Sequence, residues 1–125
     1  MIEVLKIENT DVIKETYFAK NIEYNEGDMI ICATENGDVI GQVLFSSTSK
    51  EITLKYAEPK EDILLLDGLI RSMLHYASEN CIENAFYTDT APIEQLNKLR
   101  FIEDMNNKSL KMLGLLGSCE NCKNK

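Results

Sequence analysis

"DMIICATENGDVIGQVLFSS", Asp28–Ser47, is the stretch whose reading decides the fold. Two β-rich runs, Met29–Thr34 and Val39–Phe45, flank Asn36-Gly37. Asn-Gly supplies the two positive φ angles of a type I′ turn, whose twist matches paired strands, so the spacing predicts an antiparallel hairpin. Gly41, inside the second run, predicts a bulge or the close approach of another backbone.

Working outward, "KEITLKYAEP" predicts a third strand from Ile52 to about Ala57, ending before Pro59, which has no N–H to donate. "PKEDILLLDGLIRSML", Pro59–Leu74, then reads as a loop and the first turns of a helix. Leu66, Ile70, Met73, Leu74 and Ala77 fall on one helical stripe, Asp62 suits the N-cap, and Asp67 can pair with Arg71 one turn on. The run Ile63–Leu66 exceeds one helical face; a packed helix start or a partner subunit would explain it, and the core reading is preferred. His75, one turn from both Arg71 and Glu79, is expected to be a half-exposed structural histidine.

"NAFYTD", Asn84–Asp89, is a short strand. "APIEQLNKLRF" is a short helix with Pro92 in its first turn and Ile93, Leu96 and Leu99 on one side. "SLKMLGLL", Ser109–Leu116, is a final strand. At the other end, "IEVLKI" alternates as a strand, and "NTDVIKETYFAKNI" follows as a helix with Thr10 at its N-cap. The order is β-α-β-β-β-α-β-α-β, an α/β (α+β) chain with a mixed central sheet and helices on both faces. Residues 1–117 form a single domain, and 118–125 a flexible polar tail.

The chain of 125 residues is 44% hydrophobic, enough for a core, and carries 21 acidic against 13 basic residues for a net charge of −8. With no basic stripe, that balance excludes a nucleic-acid or anionic-membrane surface. No apolar run reaches the ~20 residues of a membrane span, and the N-terminus lacks a signal-peptide core. The expectation is a soluble cytoplasmic protein whose four cysteines are thiols. Cys119 and Cys122 form a CxxC, which supplies two of the four ligands of a structural zinc; a homodimer would supply the other two.

Particular residues carry a family likeness. "CATENGDVIGQVLF", "LKYAEP", "LDGLIRSMLHYASENCIENAFYTD" and "APIEQLNKLRF" follow one another as the strands and helices of one known fold do. Over about Met29–Leu116 the chain resembles the GNAT superfamily of N-acetyltransferases. The resemblance implies acetyl-CoA as cofactor and a small-molecule or peptide amine as acceptor. It implies that Tyr56 and Ala57 face the pantetheine arm, and that Gly68, Leu69, Ile70 and Arg71 hold the pyrophosphate at the start of the helix after the fourth strand. Replacing Gly68 with a bulky residue is then expected to abolish cofactor binding. Tyr87 and Asp89, at the end of the next strand, are the candidate catalytic groups.

The sequence also departs from the family pattern. Leu65 and Ile70 stand where a phosphate-holding Gln or Arg and a second small residue are expected, and Glu61, Asp62 and Asp67 crowd the anion site. Leu96 occupies the place of a proton-donating Tyr, and Arg100 that of a glycine before Phe101. The alternative reading is therefore a GNAT fold without catalysis, a binding module whose CxxC tail is a metal- or redox-sensitive contact.

Overall fold

A computed structural model describes residues 2–112. Ten elements follow in order: β1 (Ile2–Lys6), α1 (Thr10–Ala19), β2 (Met29–Glu35), β3 (Asp38–Ser47), β4 (Glu51–Glu58), α2 (Ile63–Glu79), β5 (Asn84–Tyr87), α3 (Ile93–Lys98), β6 (Ile102–Asp104) and β7 (Ser109–Leu110). They build one seven-stranded mixed sheet in the order β1-β2-β3-β4-β5-β7-β6. β4 and β5 pair in parallel; every other neighbouring pair is antiparallel.

The hairpin forms as expected, with Asn36 at φ 54° and Gly37 at φ 86° between β2 and β3. Both halves of the expectation for Gly41 also hold. The β2–β3 register shifts beside it, and a Cβ there would lie 2.9 Å from Leu69 Cδ1 and 3.0 Å from both the Glu58 carbonyl and Pro59 Cδ. Glycine lets α2 and the end of β4 close over β3 at this point.

The two faces of the sheet follow from strand alternation. Ile31, Ala33, Val43, Phe45, Ile52, Leu54 and Ala57 face α2, which buries Leu66, Leu69, Ile70, Met73, Leu74 and Ala77 against them. Burial of each large side chain contributes roughly 1.5–3 kcal/mol. On the other face, Ile30 and Leu44 meet Ile13 and Tyr17 of α1. Tyr17 is fully buried, and its hydroxyl donates to the carbonyls of Met29 (2.8 Å) and Phe45 (3.1 Å), so its polar end is satisfied.

Several local expectations change. Asn9 rather than Thr10 caps α1, accepting from the Asp11 and Val12 N–H groups. In the run Ile63–Leu66, Leu66 is buried but Leu64 is 81% exposed, because a single helical face cannot turn four successive residues inward. A short strand, β6, follows α3 and was not expected. The final strand covers Ser109–Leu110, and the remainder of the expected Ser109–Leu116 run falls largely outside the described residues. Cys32 is a buried free thiol, whereas Cys81 is disulfide-bonded, which corrects the expectation of thiols at that position.

Candidate functional site

The parallel β4–β5 pair runs from Glu51 opposite Asn84 to Leu54 opposite Tyr87, and there it stops. Lys55 is the extra residue of a bulge in β4, because Leu44 of β3 faces Tyr56 while Phe45 faces Leu54. A bulge bends and twists its strand, and the pairing of β4 with β5 ends beside it. After Tyr87 the chain "TDTAP" turns instead of continuing: the Ala91 N–H bonds the Thr88 carbonyl at 3.1 Å, and Pro92 begins α3. The Thr88 N–H still reaches the Leu54 carbonyl at 3.0 Å, and the Thr88 and Thr90 hydroxyls donate to the Lys55 carbonyl. Beyond that point Tyr56–Glu58 has no β5 partner, so β4 runs on past the end of β5.

The Lys55 side chain anchors the bulge. Its ammonium donates to Asp28 Oδ2 at 2.5 Å and to the Glu23 carbonyl at 3.1 Å, and lies 5.7 Å from the centre of the Tyr17 ring. Asp28 is held in turn by the Asn25 N–H at 2.7 Å. Both ions are nearly removed from water, at 11% and 2% side-chain exposure. An open cleft of about 440 Å³ lies against this anchor, walled by Glu23, Asn25, Lys55, Thr88, Asp89 and Thr90.

At the far end of β4, Glu58 collects three donors. Lys20, the C-cap residue of α1, is 2.9 Å away, the Tyr56 hydroxyl 2.9 Å, and Gln42 Nε2 3.2 Å. Burial alone would raise the carboxyl's pKa, but these bonds and the Lys20 charge outweigh it and hold Glu58 below the usual carboxylate range. The same network pushes Tyr56 up to about 12, first by burial and then by its hydrogen bond to Glu58. This cluster went unread in the sequence; the i, i+2 spacing of Tyr56 and Glu58 on a strand, which puts both on one face, was the available signal.

The loop Pro59–Asp62 leads from Glu58 into α2. Asp62 caps the helix, accepting from the Leu65 N–H at 3.2 Å through its side chain, while its carbonyl accepts from Leu66 N–H at 2.9 Å. Gly68, Leu69, Ile70 and Arg71 therefore stand inside α2, past its first turn, where backbone N–H groups belong to the helix. Leu69 and Ile70 are buried in the core. Gly68 is exposed, and a Cβ on it would meet nothing within 4 Å. Arg71 pairs with Asp67 at 2.9 Å and lies over the Phe101 ring. The N-terminal amides of α2 that could face an anion are instead those around Ile63 and Leu64.

The other candidate residues separate in the same way. Tyr56 is half-buried just past the end of the β4–β5 pairing, and Ala57 is fully buried on the α2 face. Asp89 borders the 440 Å³ cleft, with its carboxylate 2.6 Å from Lys108 Nζ. Tyr87 is packed in the main core at 4% exposure. His75 is exposed and 3.0 Å from Glu79. Cys119 and Cys122 lie outside the described residues. Among the described residues, no cluster of three or more His, Cys, Asp or Glu side chains could hold a metal, and no helix is long and apolar enough to cross a membrane.

No family model and no curated protein matches this chain by sequence. Solved structures do match it in shape. A ribosomal-protein-alanine N-acetyltransferase from Brucella melitensis biovar Abortus 2308 superimposes with a TM-score of 0.61 at 10% identity, over 79% of this chain and 90% of that one. The ribosomal-protein-S18-alanine N-acetyltransferase of Escherichia coli gives 0.57 at 15% identity, over 87% and 88%. A predicted acetyltransferase from Clostridium acetobutylicum, solved with acetyl-CoA, gives 0.56 at 15% identity, over 95% and 99%. The chain shares the fold of these proteins, a GNAT-like mixed α+β architecture around one sheet.

Proposed function

We propose that this protein is an acyl-CoA-dependent N-acyltransferase that moves an acetyl group from acetyl-CoA to an amine. The observation that carries this reading is that Tyr56–Glu58 of β4 runs past the end of β5 with no β5 partner, beside the Lys55 bulge. An acyl-pantetheine arm is an extended chain with amide groups, and it can add to an open strand edge through main-chain hydrogen bonds as another strand would. Tyr56 and Ala57 are the edge residues assigned to that arm. The Clostridium protein, 99% of which aligns with this chain, was solved with acetyl-CoA, which supports the choice of cofactor.

In the transfer, the acceptor nitrogen attacks the thioester carbonyl, a C–N bond forms, the C–S bond breaks, and the amine proton must leave while the thiolate gains one. Asp89 is the better placed of the two catalytic candidates: it is an exposed carboxylate at the cleft, within reach of an amine or an intervening water. Its charge, with Glu23 nearby and −8 overall, favours a cationic acceptor. Calorimetric titration of the full chain with acetyl-CoA tests the reading. Micromolar binding is the expected result, and no heat at millimolar cofactor refutes it.

Leu96 favours a second reading. It occupies the place where the family likeness puts a proton-donating Tyr, and it is fully buried in the core. On this reading the chain is a GNAT-fold binding module, with the Cys119/Cys122 tail as its contact. Stoichiometric zinc in protein purified without added metal would support it.

A further inference from the structure

Resting on the acyltransferase reading, we infer that this chain recognises its donor through the acyl-pantetheine arm, and that the nucleotide diphosphate of coenzyme A adds little to binding. A diphosphate at the start of α2 would need free backbone amides, small residues that let it approach them, and uncommitted cations. The start of α2 meets the first of these only in part and offers little of the other two.

The amides come first. The Asp62 carboxylate already accepts from Leu65 N–H, and an anion binding there would have to displace it or share the helix end with it. Glu61 adds a second negative charge one residue earlier, so an incoming phosphate meets like charges at short range.

The side chains around the remaining amides come second. Ile63 and Leu64 flank them, with Leu64 projecting at 81% exposure, so no glycine lets a phosphate settle on the backbone. Gly68 offers no substitute, since it lies a full turn farther on within the helix.

The cations come third. Lys20 is committed to Glu58 at 2.9 Å and Arg71 to Asp67 at 2.9 Å, while Lys60 lies 5.9 Å from the centre of the Tyr56 ring. Glu58, Glu61, Asp62 and Asp67 together outnumber these three. The strand edge, by contrast, needs only main-chain groups of the stretch that has no β5 partner, and the arm that would use them carries no charge.

Parallel titrations of the full chain with acetyl-CoA and S-acetylpantetheine test this. Dissociation constants within about tenfold of each other are expected, because the shared arm carries the affinity. Acetyl-CoA binding more than about tenfold tighter overturns the inference while leaving the acyltransferase reading intact. If neither thioester binds, that reading falls and this inference falls with it. A Glu61→Gln/Asp62→Ser variant gives an independent arm, since Ser keeps the helix cap without the charge. At low salt it should bind acetyl-CoA severalfold more tightly and S-acetylpantetheine no differently. An equal change for both thioesters, or none for either, overturns the inference.

Discussion

Replacing Lys55 with Met gives the sharpest test of how the β4 bulge is held. Methionine keeps the aliphatic stem against Tyr17 but removes the ammonium, and with it the bonds to Asp28 and the Glu23 carbonyl. Asp28, 2% exposed, keeps only the Asn25 N–H among the partners described. Stranding one member of a buried pair costs ~3–5 kcal/mol. The lower end, about 3 kcal/mol, applies here, because the cleft beside Lys55 gives water a path and Asn25 still donates. That is a large part of the ~5–15 kcal/mol that holds a domain together.

The double replacement Lys55→Met/Asp28→Asn removes both charges and leaves an amide oxygen for the Asn25 N–H, so it should recover about 1–2 kcal/mol of that loss. Urea unfolding of the four proteins at pH 7 measures the cycle, with m-values unchanged if the transition stays two-state. A loss under about 1 kcal/mol for Lys55→Met alone would refute the argument, placing the anchor among solvent-screened surface pairs.

Other expectations are simpler. Gly41→Ala should destabilise by ~1–3 kcal/mol in the same assay, since its Cβ would press on Leu69 and on the backbone of Glu58. Gly68→Ala should instead stabilise by about 0.5–1 kcal/mol, as it fills open space within a helix. Arg100 holds φ at 63° behind α3, so Arg100→Gly should raise stability by ~1 kcal/mol; a loss would mean that its side chain matters more than its strain. Tyr56 is raised in the folded state from 10.0 to about 12, so its contribution is complete below pH 10 and fades as pH climbs toward 12. Wild-type stability should therefore fall relative to Tyr56→Phe over that window. For Glu58 the sign reverses: its folded pKa is lowered from 4.5, so the advantage over Glu58→Gln should shrink as pH drops below 4.5.

The sequence by itself determined the elements whose signals are local. Asn36-Gly37 set the hairpin through backbone geometry, and the spacing of Leu66, Ile70, Met73, Leu74 and Ala77 set the buried face of α2, as did Asp62 its first turn. Local signals falter where two choices are close in energy, as between Asn9 and Thr10 for the cap of α1, or where a strand is only two or three residues long.

The site was not written in the same way. Only the tertiary structure decided that β4 carries a bulge at Lys55, because a bulge is a mismatch between two strands and not a property of one. It alone joined Lys55 to Asp28 across 27 residues, and Lys20 to Glu58 across the α1 face. It also showed that Gly68–Arg71, which the family likeness assigns to the pyrophosphate, stand past the first turn of α2, where the backbone N–H groups belong to the helix. Periodicity tells which side of an element is apolar; which ends meet, and which charges are thereby taken out of water, depends on contacts far apart in the chain.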